Sequence, residues 1–320
     1  MSLKTRIYDL NPGLYYKCFK ILTYLRSAPY KKRPSVYIKK VYKKHFGVVL
    51  NLEKPRTIYD KINFLNLFRY PSMDLKKYVD KAEAKKIISL CSPDGNKHIS
   101  KTIAVFDTFN EFKAFFYGEN FPKKCVIKLT HTSGIVFFFS DGKMRDKFGK
   151  TLSTKNALSC LKNMINYSHY FFAFESPYKN LKGRILVEEY LDFQKDSGLN
   201  EYKIFCNYGQ PIFMNIVYGR QKEYIGMARE AFTSMNFQLL NASQTLPLLR
   251  QDEIVIPSCF EQMLDICKNT TSQFPIVRVD FLVHEDTFYF CEFTFVDCAG
   301  LSIYKPNEAN DEIGNMFNIE

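Results

Sequence analysis

The stretch that most restricts how this chain can fold lies near its C-terminus. Residues 277–283 read Val277-Arg278-Val279-Asp280-Phe281-Leu282-Val283, and 288–295 read Phe288-Tyr289-Phe290-Cys291-Glu292-Phe293-Thr294-Phe295. Both runs are apolar enough to be sheet strands, and strand alternation puts Arg278, Asp280 and Leu282 on one face of the first. Glu292 and Thr294 share a face of the second. A carboxylate in such surroundings costs about several kcal/mol unless it is paired or bound to a cation. The parity of the connecting loop decides whether the two acids meet. A loop of three or five residues puts Asp280 and Glu292 on one face, and an even loop separates them. A five-residue loop would set them directly opposite, at about 5 Å between Cβ atoms. Two facing carboxylates repel unless a cation sits between them, and an all-oxygen pair favours Mg2+. An Arg278–carboxylate salt bridge of purely structural value is the alternative.

A hard divalent ion held by two carboxylates commonly serves a nucleotide phosphate, which directs attention to cations elsewhere. Lys128 interrupts the otherwise apolar run Val126-Ile127-Lys128-Leu129, and Thr130-His131-Thr132-Ser133-Gly134 follows directly. A strand cation next to a small-residue hairpin can clasp phosphates through backbone N–H groups and hydroxyls. One glycine in a hairpin is also ordinary turn chemistry. Lys81 reads on its own as a surface residue of a helix. Glu188-Glu189 closes the run Ile185-Leu186-Val187, and paired acids at a strand end are commonly solvated.

At 320 residues, with 46% hydrophobic and 24% charged residues, the chain supports a sizeable core and is neither disordered nor fibrous. The net charge of +12 has one source. Residues 1–56 hold 14 Lys and Arg against Asp9 and Glu53, and the remaining 31 basic and 31 acidic side chains balance. A basic arm on a neutral body points to an anionic polymer or a membrane surface as its partner, or to solubility alone. Nucleic acid is the least favoured partner, because the body is neutral and carries no recognition motif. Nine cysteines without a CxxC pair, and no secretory signal, indicate a reducing, cytoplasmic compartment. Peripheral attachment to the inner face of the membrane stays open. Five histidines without HxxxH or HExxH spacing argue against a zinc enzyme.

Helices are expected from Pro12 to the first prolines (Asn11 capping), over 35–46, 57–69, 74–90, 109–117, from Thr154 to about Ser168 with Ser153 as cap, and over 258–271. On the first, Leu14, Cys18, Leu22 and Leu25 form an apolar stripe with Lys17, Lys20 and Arg26 elsewhere. Packing of that stripe on the protein's own body is expected in preference to membrane binding. Strands are expected over 103–106, 125–129, 135–139, 184–191, 202–207, 211–218, 276–283 and 287–295, with a long irregular stretch after 218. The class is α+β with antiparallel sheets.

The order of these pieces is more specific than any one of them. Val79-Asp80-Lys81, Val126-Ile127-Lys128 through Ser133-Gly134, 185–191, Glu201-Tyr202-Lys203-Ile204-Phe205-Cys206, Arg278-x-Asp280 and Glu292-Phe293-Thr294-Phe295 together resemble the ATP-grasp superfamily. Tyr59-Asp60-Lys61-Ile62-Asn63-Phe64 adds to the likeness, which spans roughly residues 57–310 and leaves the basic arm outside. Within the superfamily the chain looks most like the TupA-like branch, named for teichuronopeptide biosynthesis and met in bacterial capsule and surface-polysaccharide gene clusters. The resemblance implies an ATP-grasp fold, two α+β subdomains whose antiparallel sheets clasp ATP, preceded by the basic helical arm. It divides the chain into a basic helical segment 1–56, a helical and mixed N-terminal domain 57–124, a small subdomain 125–191 with the phosphate-binding hairpin, and a large subdomain 192–320 with the metal-binding strands.

The same resemblance implies roles. Lys81 and Lys128 would contact ATP phosphates, with Thr130, His131, Ser133 and Gly134 closing over them. Glu188, Glu189, Tyr190 and Leu191 would receive the adenine and ribose. Asp280 and Glu292 would hold Mg2+, with Thr294 beside them where many ATP-grasp enzymes place Asn, and a hydroxyl is a poorer ligand. Arg278 would steady a phosphorylated intermediate, and Lys203 and Arg220 would receive an acidic substrate. Thr132 stands where a glycine is expected and would stiffen the hairpin. The implied activity is a carboxylate–amine ligase that uses ATP and Mg2+, joining an amino acid to a uronic acid or similar carboxylate of a surface polysaccharide. A glycosyltransferase and a non-catalytic polyanion-binding adaptor are the rival readings. The first should carry Asp-x-Asp-like ligands on one short loop, and none is present.

Overall fold

The computed structural model describes residues 3–191, 200–219 and 228–320. Its eleven described strands are β1 (Thr102–Phe106), β2 (Lys124–Leu129), β3 (Val136–Ser140), β4 (Lys143–Asp146), β5 (Thr151–Leu152), β6 (Ile185–Glu188), β7 (Asn200–Asn207), β8 (Gln210–Tyr218), β9 (Arg229–Ser234), β10 (Val277–His284) and β11 (Thr287–Thr294). They form two sheets in the orders β1-β6-β2-β3-β4-β5 and β11-β10-β7-β8-β9, with every neighbouring pair antiparallel. Each sheet has its own core. The first packs Ile127, Leu129, Ile185 and Val187 against the helix Thr154–Met164, and the second packs Ile204, Ile216, Val277 and Val279 against the helix Phe260–Thr271.

Local chemistry accounts for most boundaries. Ser153 Oγ accepts the Asn156 N–H at 3.3 Å and starts its helix, as Asn11 does for Pro12–Ser27 by accepting from Leu14. Tyr208 and Gly209, with φ of 46° and 82°, make the two-residue turn between β7 and β8, a primed turn whose twist suits a hairpin.

Four expectations need correction. The helix expected over 74–90 is two helices, Lys76–Val79 and Lys81–Cys91, because Asp80 turns its carboxylate back onto the N–H groups of Ala82 and Glu83 and caps the second. β1, assigned by sequence to the segment 57–124, is the edge strand of the first sheet and pairs with β6. Strands β4, β5 and β9 were not expected, the last lying inside the stretch read as irregular. The stripe Leu14, Leu22 and Leu25 faces away from the body. The helix Pro12–Ser27 docks instead through Gly13, Tyr16, Phe19, Thr23, Tyr24 and Ser27, because a flat aromatic and small-residue face fits the helix Thr154–Met164 more closely than branched leucines do. A Cβ on Gly13 would lie 2.2 Å from Ser159 Oγ, which shows how near the two helices run.

Candidate functional site

Asp280 and Glu292 are register partners across β10 and β11, and Lys203 of β7 is the partner of Asp280 on its other side. The route to this opposition differs from the one expected. The turn is tight, with His284 opposite Thr287, an even loop that would set Asp280 opposite Cys291. A bulge at Cys291 adds one residue to β11 and brings Glu292 into register. Arg278 holds Asp280 bidentately, Nε to Oδ1 at 2.6 Å and Nη2 to Oδ2 at 2.7 Å, donates to Thr294 Oγ1 at 3.3 Å, and also pairs with Asp297. Burial holds the Asp280 carboxyl above its ordinary range against the pull of Arg278. At Glu292 burial pushes the same way, but Lys81 and Arg278 outweigh it and the carboxyl lies below its ordinary range. These groups open onto a cleft of about 580 Å³ that Ser133, Lys203, Asp280, Glu292 and Thr294 help to line.

Lys81 ties the two sheets together at the cleft. Its Nζ donates to the Thr132 carbonyl at 3.0 Å and lies 3.3 Å from Glu292 Oε2. One helical turn later Lys85 points the same way, and its ammonium donates to Ser100 Oγ at 2.6 Å and pairs with Glu188. Lys128 pairs with the other oxygen of the same Glu188. Two buried or half-buried cations therefore share one buried carboxylate. Burial opposes charge on all three, yet the two lysines hold Glu188 below its ordinary range. Glu188 holds Lys128 above its own, whereas burial prevails at Lys85 and lowers it.

Ser133 and Gly134 form the tip of the β2–β3 hairpin, and Gly134 has φ of 85°. Thr130 and His131 turn inward instead: Thr130 Oγ1 accepts the Arg184 N–H at 3.3 Å, and His131 is buried against Gly183, where an added Cβ would sit 2.2 Å from Cε1. Glu188 faces lysines rather than open space, Glu189 accepts the Lys101 N–H at 2.6 Å, Tyr190 meets Phe138 edge-on, and Leu191 follows half-buried. Lys203 lies 3.1 Å from Glu201. Arg220 lies outside the described residues.

Sequence reasoning missed Lys85, Asp297 and the pair His169–Glu175, whose Nε2 and Oε1 are 3.2 Å apart at the cleft wall. Lys85 had a signal, its i+4 spacing from Lys81. Asp297 follows β11 in a turn where Cys298 and Ala299 both take positive φ (48° and 58°), and no periodicity marks it.

Among the described residues, no group of three His, Cys, Asp or Glu side chains could hold a metal by protein ligands alone. Mg2+ does not need one, since one or two carboxylates plus phosphate oxygens and water complete its shell. Two facing carboxylates with opposite shifts, in an all-oxygen set, fit that ion.

His131 gives a pH prediction. Burial first, then His169 and Lys81, push its imidazole down from 6.5 to about 4. The unfolded chain therefore binds a proton that the folded one refuses between those values. Stability is complete above pH 6.5 and falls by about 3 kcal/mol as the pH drops to 4. Urea unfolding across that range should show the slope in the wild type and a shallower one in His131→Asn. Equal slopes would show that His131 does not carry it.

A family model described as TupA-like ATPgrasp matches residues 60–318. No curated protein matches. Among solved structures, the chain is similar to D-alanine-D-alanine ligase from Helicobacter pylori (14% identity, 76% of this chain and 59% of that chain, TM-score 0.37). It is also similar to D-alanine–D-alanine ligase from Bacillus anthracis complexed with ATP (15%, 74% and 60%, TM-score 0.36) and to D-cycloserine synthetase (9%, 76% and 70%, TM-score 0.34). The chain thus spans about 59% of the length of the first of these.

Proposed function

The chain belongs to the TupA-like ATP-grasp family, and on that premise we propose that it is a carboxylate–amine ligase working through an acyl phosphate. On this reading it is an ATP-grasp enzyme of ligase type, with ATP and Mg2+ as its cofactors. In the proposed reaction a substrate carboxylate oxygen attacks the γ-phosphorus and ADP leaves. An amine then attacks the acyl carbon, inorganic phosphate leaves, and an amide remains. Such chemistry asks a protein mainly for positioning and charge neutralisation.

The observation that carries this reading is the facing pair Asp280 and Glu292 in a cleft where Lys81 joins Glu292 to the hairpin carbonyl of Thr132. Asp280 and Glu292 would hold Mg2+, which when bound neutralises charge on phosphate oxygens. Lys81 and Lys128 would meet the phosphates, Ser133 and Gly134 would cover them, and Glu189, Tyr190 and Leu191 would line the nucleotide, with Glu188 holding Lys128 from behind. Arg278 would steady the transferred group. Lys203, beside Asp280 on the sheet, would receive the acidic substrate, and Arg220 is retained in that role from sequence alone. The carboxylate is proposed to be a uronic acid or similar group of a bacterial surface polysaccharide and the amine an amino acid, with the enzyme acting in the cytoplasm.

Thermal unfolding with ATP, ADP, UDP-glucose and UDP-glucuronate, each with and without Mg2+, tests the site. ATP at about 100 times its Kd should stabilise the fold by about 2.7 kcal/mol when Mg2+ is present. Pairs of acids and amines are then screened for ADP and phosphate release. Stabilisation by the uridine sugars and none by ATP would replace the ligase with a glycosyltransferase.

A further inference from the structure

Among the described residues, nothing covers the outward face of the helix Pro12–Ser27. Leu14, Ile21, Leu22 and Leu25 are 49%, 49%, 57% and 65% exposed, and with Cys18 they form one continuous stripe at helical spacing. The opposite face is pinned. Asn163 donates to the Gly13 carbonyl at 2.8 Å, the Tyr24 hydroxyl accepts the Ser168 N–H at 2.9 Å, and Phe19 and Tyr24 pack on Tyr167. The stripe cannot turn inward without losing these contacts.

Its flanks are cationic. On a helical projection Lys17 and Arg26 border the stripe on either side, and Lys31, Lys32 and Arg33 follow its C-terminal end. From residue 10 to residue 52 there are ten Lys and Arg and no acid. Lys17, Arg26, Lys32 and Arg33 have no ion-pair partner among the described residues, and all four are exposed. Among the described residues no helix is long and apolar enough to cross a membrane.

We propose that this face is a docking surface for an anionic lipid bilayer, on which the helix Pro12–Ser27 lies flat with Leu14, Ile21, Leu22 and Leu25 in the headgroup–acyl boundary. An apolar stripe bordered by cations, on a helix held rigid from behind, matches the two requirements of interfacial binding: buried apolar area and attraction to anionic headgroups. A soluble acidic polymer would use the cations and leave the leucines idle. The surface lies outside the matched residues 60–318, so it stands or falls independently of the ligase chemistry.

Vesicle flotation of the full chain tests it, with phosphatidylcholine vesicles lacking or containing phosphatidylglycerol, at low salt. The wild type should float with the anionic vesicles only. Leu14→Gln/Leu22→Gln/Leu25→Gln should lower the partition coefficient at least tenfold. Lys17→Gln/Arg26→Gln/Lys32→Gln/Arg33→Gln should lower it several hundredfold, about fivefold for each cation near an anionic surface. Both variants alter exposed side chains, and unchanged unfolding midpoints would verify that they fold. Absence of the wild type from anionic vesicles would overturn the proposal. So would flotation indifferent to the leucine substitutions and abolished by polyglutamate, which would mark a simple polyanion arm.

Discussion

Glu292→Gln is expected to lower ATP-dependent phosphate transfer by at least 10²–10³-fold, roughly what one group stabilising transferred charge is worth, while the fold survives. The two effects separate because of where Glu292 sits. Its side chain is about a third exposed, and its link to Lys81 is a single contact of 3.3 Å, so removing the charge costs little stability. The amide keeps the shape and can still accept from Lys81. It cannot offer the second anionic oxygen donor that faces Asp280. Asp280→Asn should abolish turnover too, but it also breaks a bidentate pair with Arg278 inside the sheet and should lower the unfolding midpoint. Glu292 is therefore the cleaner probe. ADP release measured over a Mg2+ titration should show the Gln variant inactive at Mg2+ levels that saturate the wild type. Wild-type turnover at equal Mg2+ would remove Glu292 from the metal site and the reading with it.

How far the site could be read in advance depends on what kind of information each residue needs. Arg278, Asp280, Glu292 and Lys128 stood out because a charge inside an apolar strand demands a partner, and that demand is local. Their meeting was not local. The two-residue turn between β10 and β11 has the wrong parity, and only the bulge at Cys291 restores the register; in strands apolar on both faces, nothing in the alternation marks an extra residue. Lys85 looked like any polar-face lysine, since its carboxylate partner lies 103 residues away. Thr130 and His131 read as hairpin residues open to a ligand, and tertiary packing on Arg184 and Gly183 turned them in. The helix Pro12–Ser27 is the sharpest case. Its leucines look like the buried side, but the neighbouring helix selects the aromatic and small side chains at Gly13, Tyr16, Phe19 and Thr23. That choice depends on the shape of the partner surface, which hydrophobicity along one helix does not encode.

The largest loss of stability is expected from Glu188→Ala, about 3–5 kcal/mol, the cost of breaking a buried ion pair from one side. That is a large share of the 5–15 kcal/mol typical of a folded domain. Glu188 is 3% exposed at its side chain and Lys85 7%, so water cannot replace the missing carboxylate. Lys85 and Lys128 would be left facing each other with no anion between them. Lys85→Met should cost less, because Glu188 and Lys128 remain a matched pair and the thioether fills the vacated volume, although the two hydrogen bonds to the Ser100 carbonyl and hydroxyl are lost. Adding Lys85→Met to Glu188→Ala should then recover part of the loss, since it removes one of the two stranded cations. Acid unfolding supplies a second reading. The lysines hold Glu188 below its ordinary range, so its contribution is present above the unfolded carboxyl pKa and disappears as pH falls through the folded value. Glu188→Ala should lose that portion of the acid limb and be flatter below pH 5, roughly where unfolded carboxyls begin to titrate. Urea melts of the four proteins in the cycle measure both effects. A loss under about 1 kcal/mol in Glu188→Ala, or no recovery in the double variant, would mean that Lys85 and Lys128 reach solvent when the carboxylate is gone, and that Glu188 does not hold the helix lysine and the β2 lysine in place.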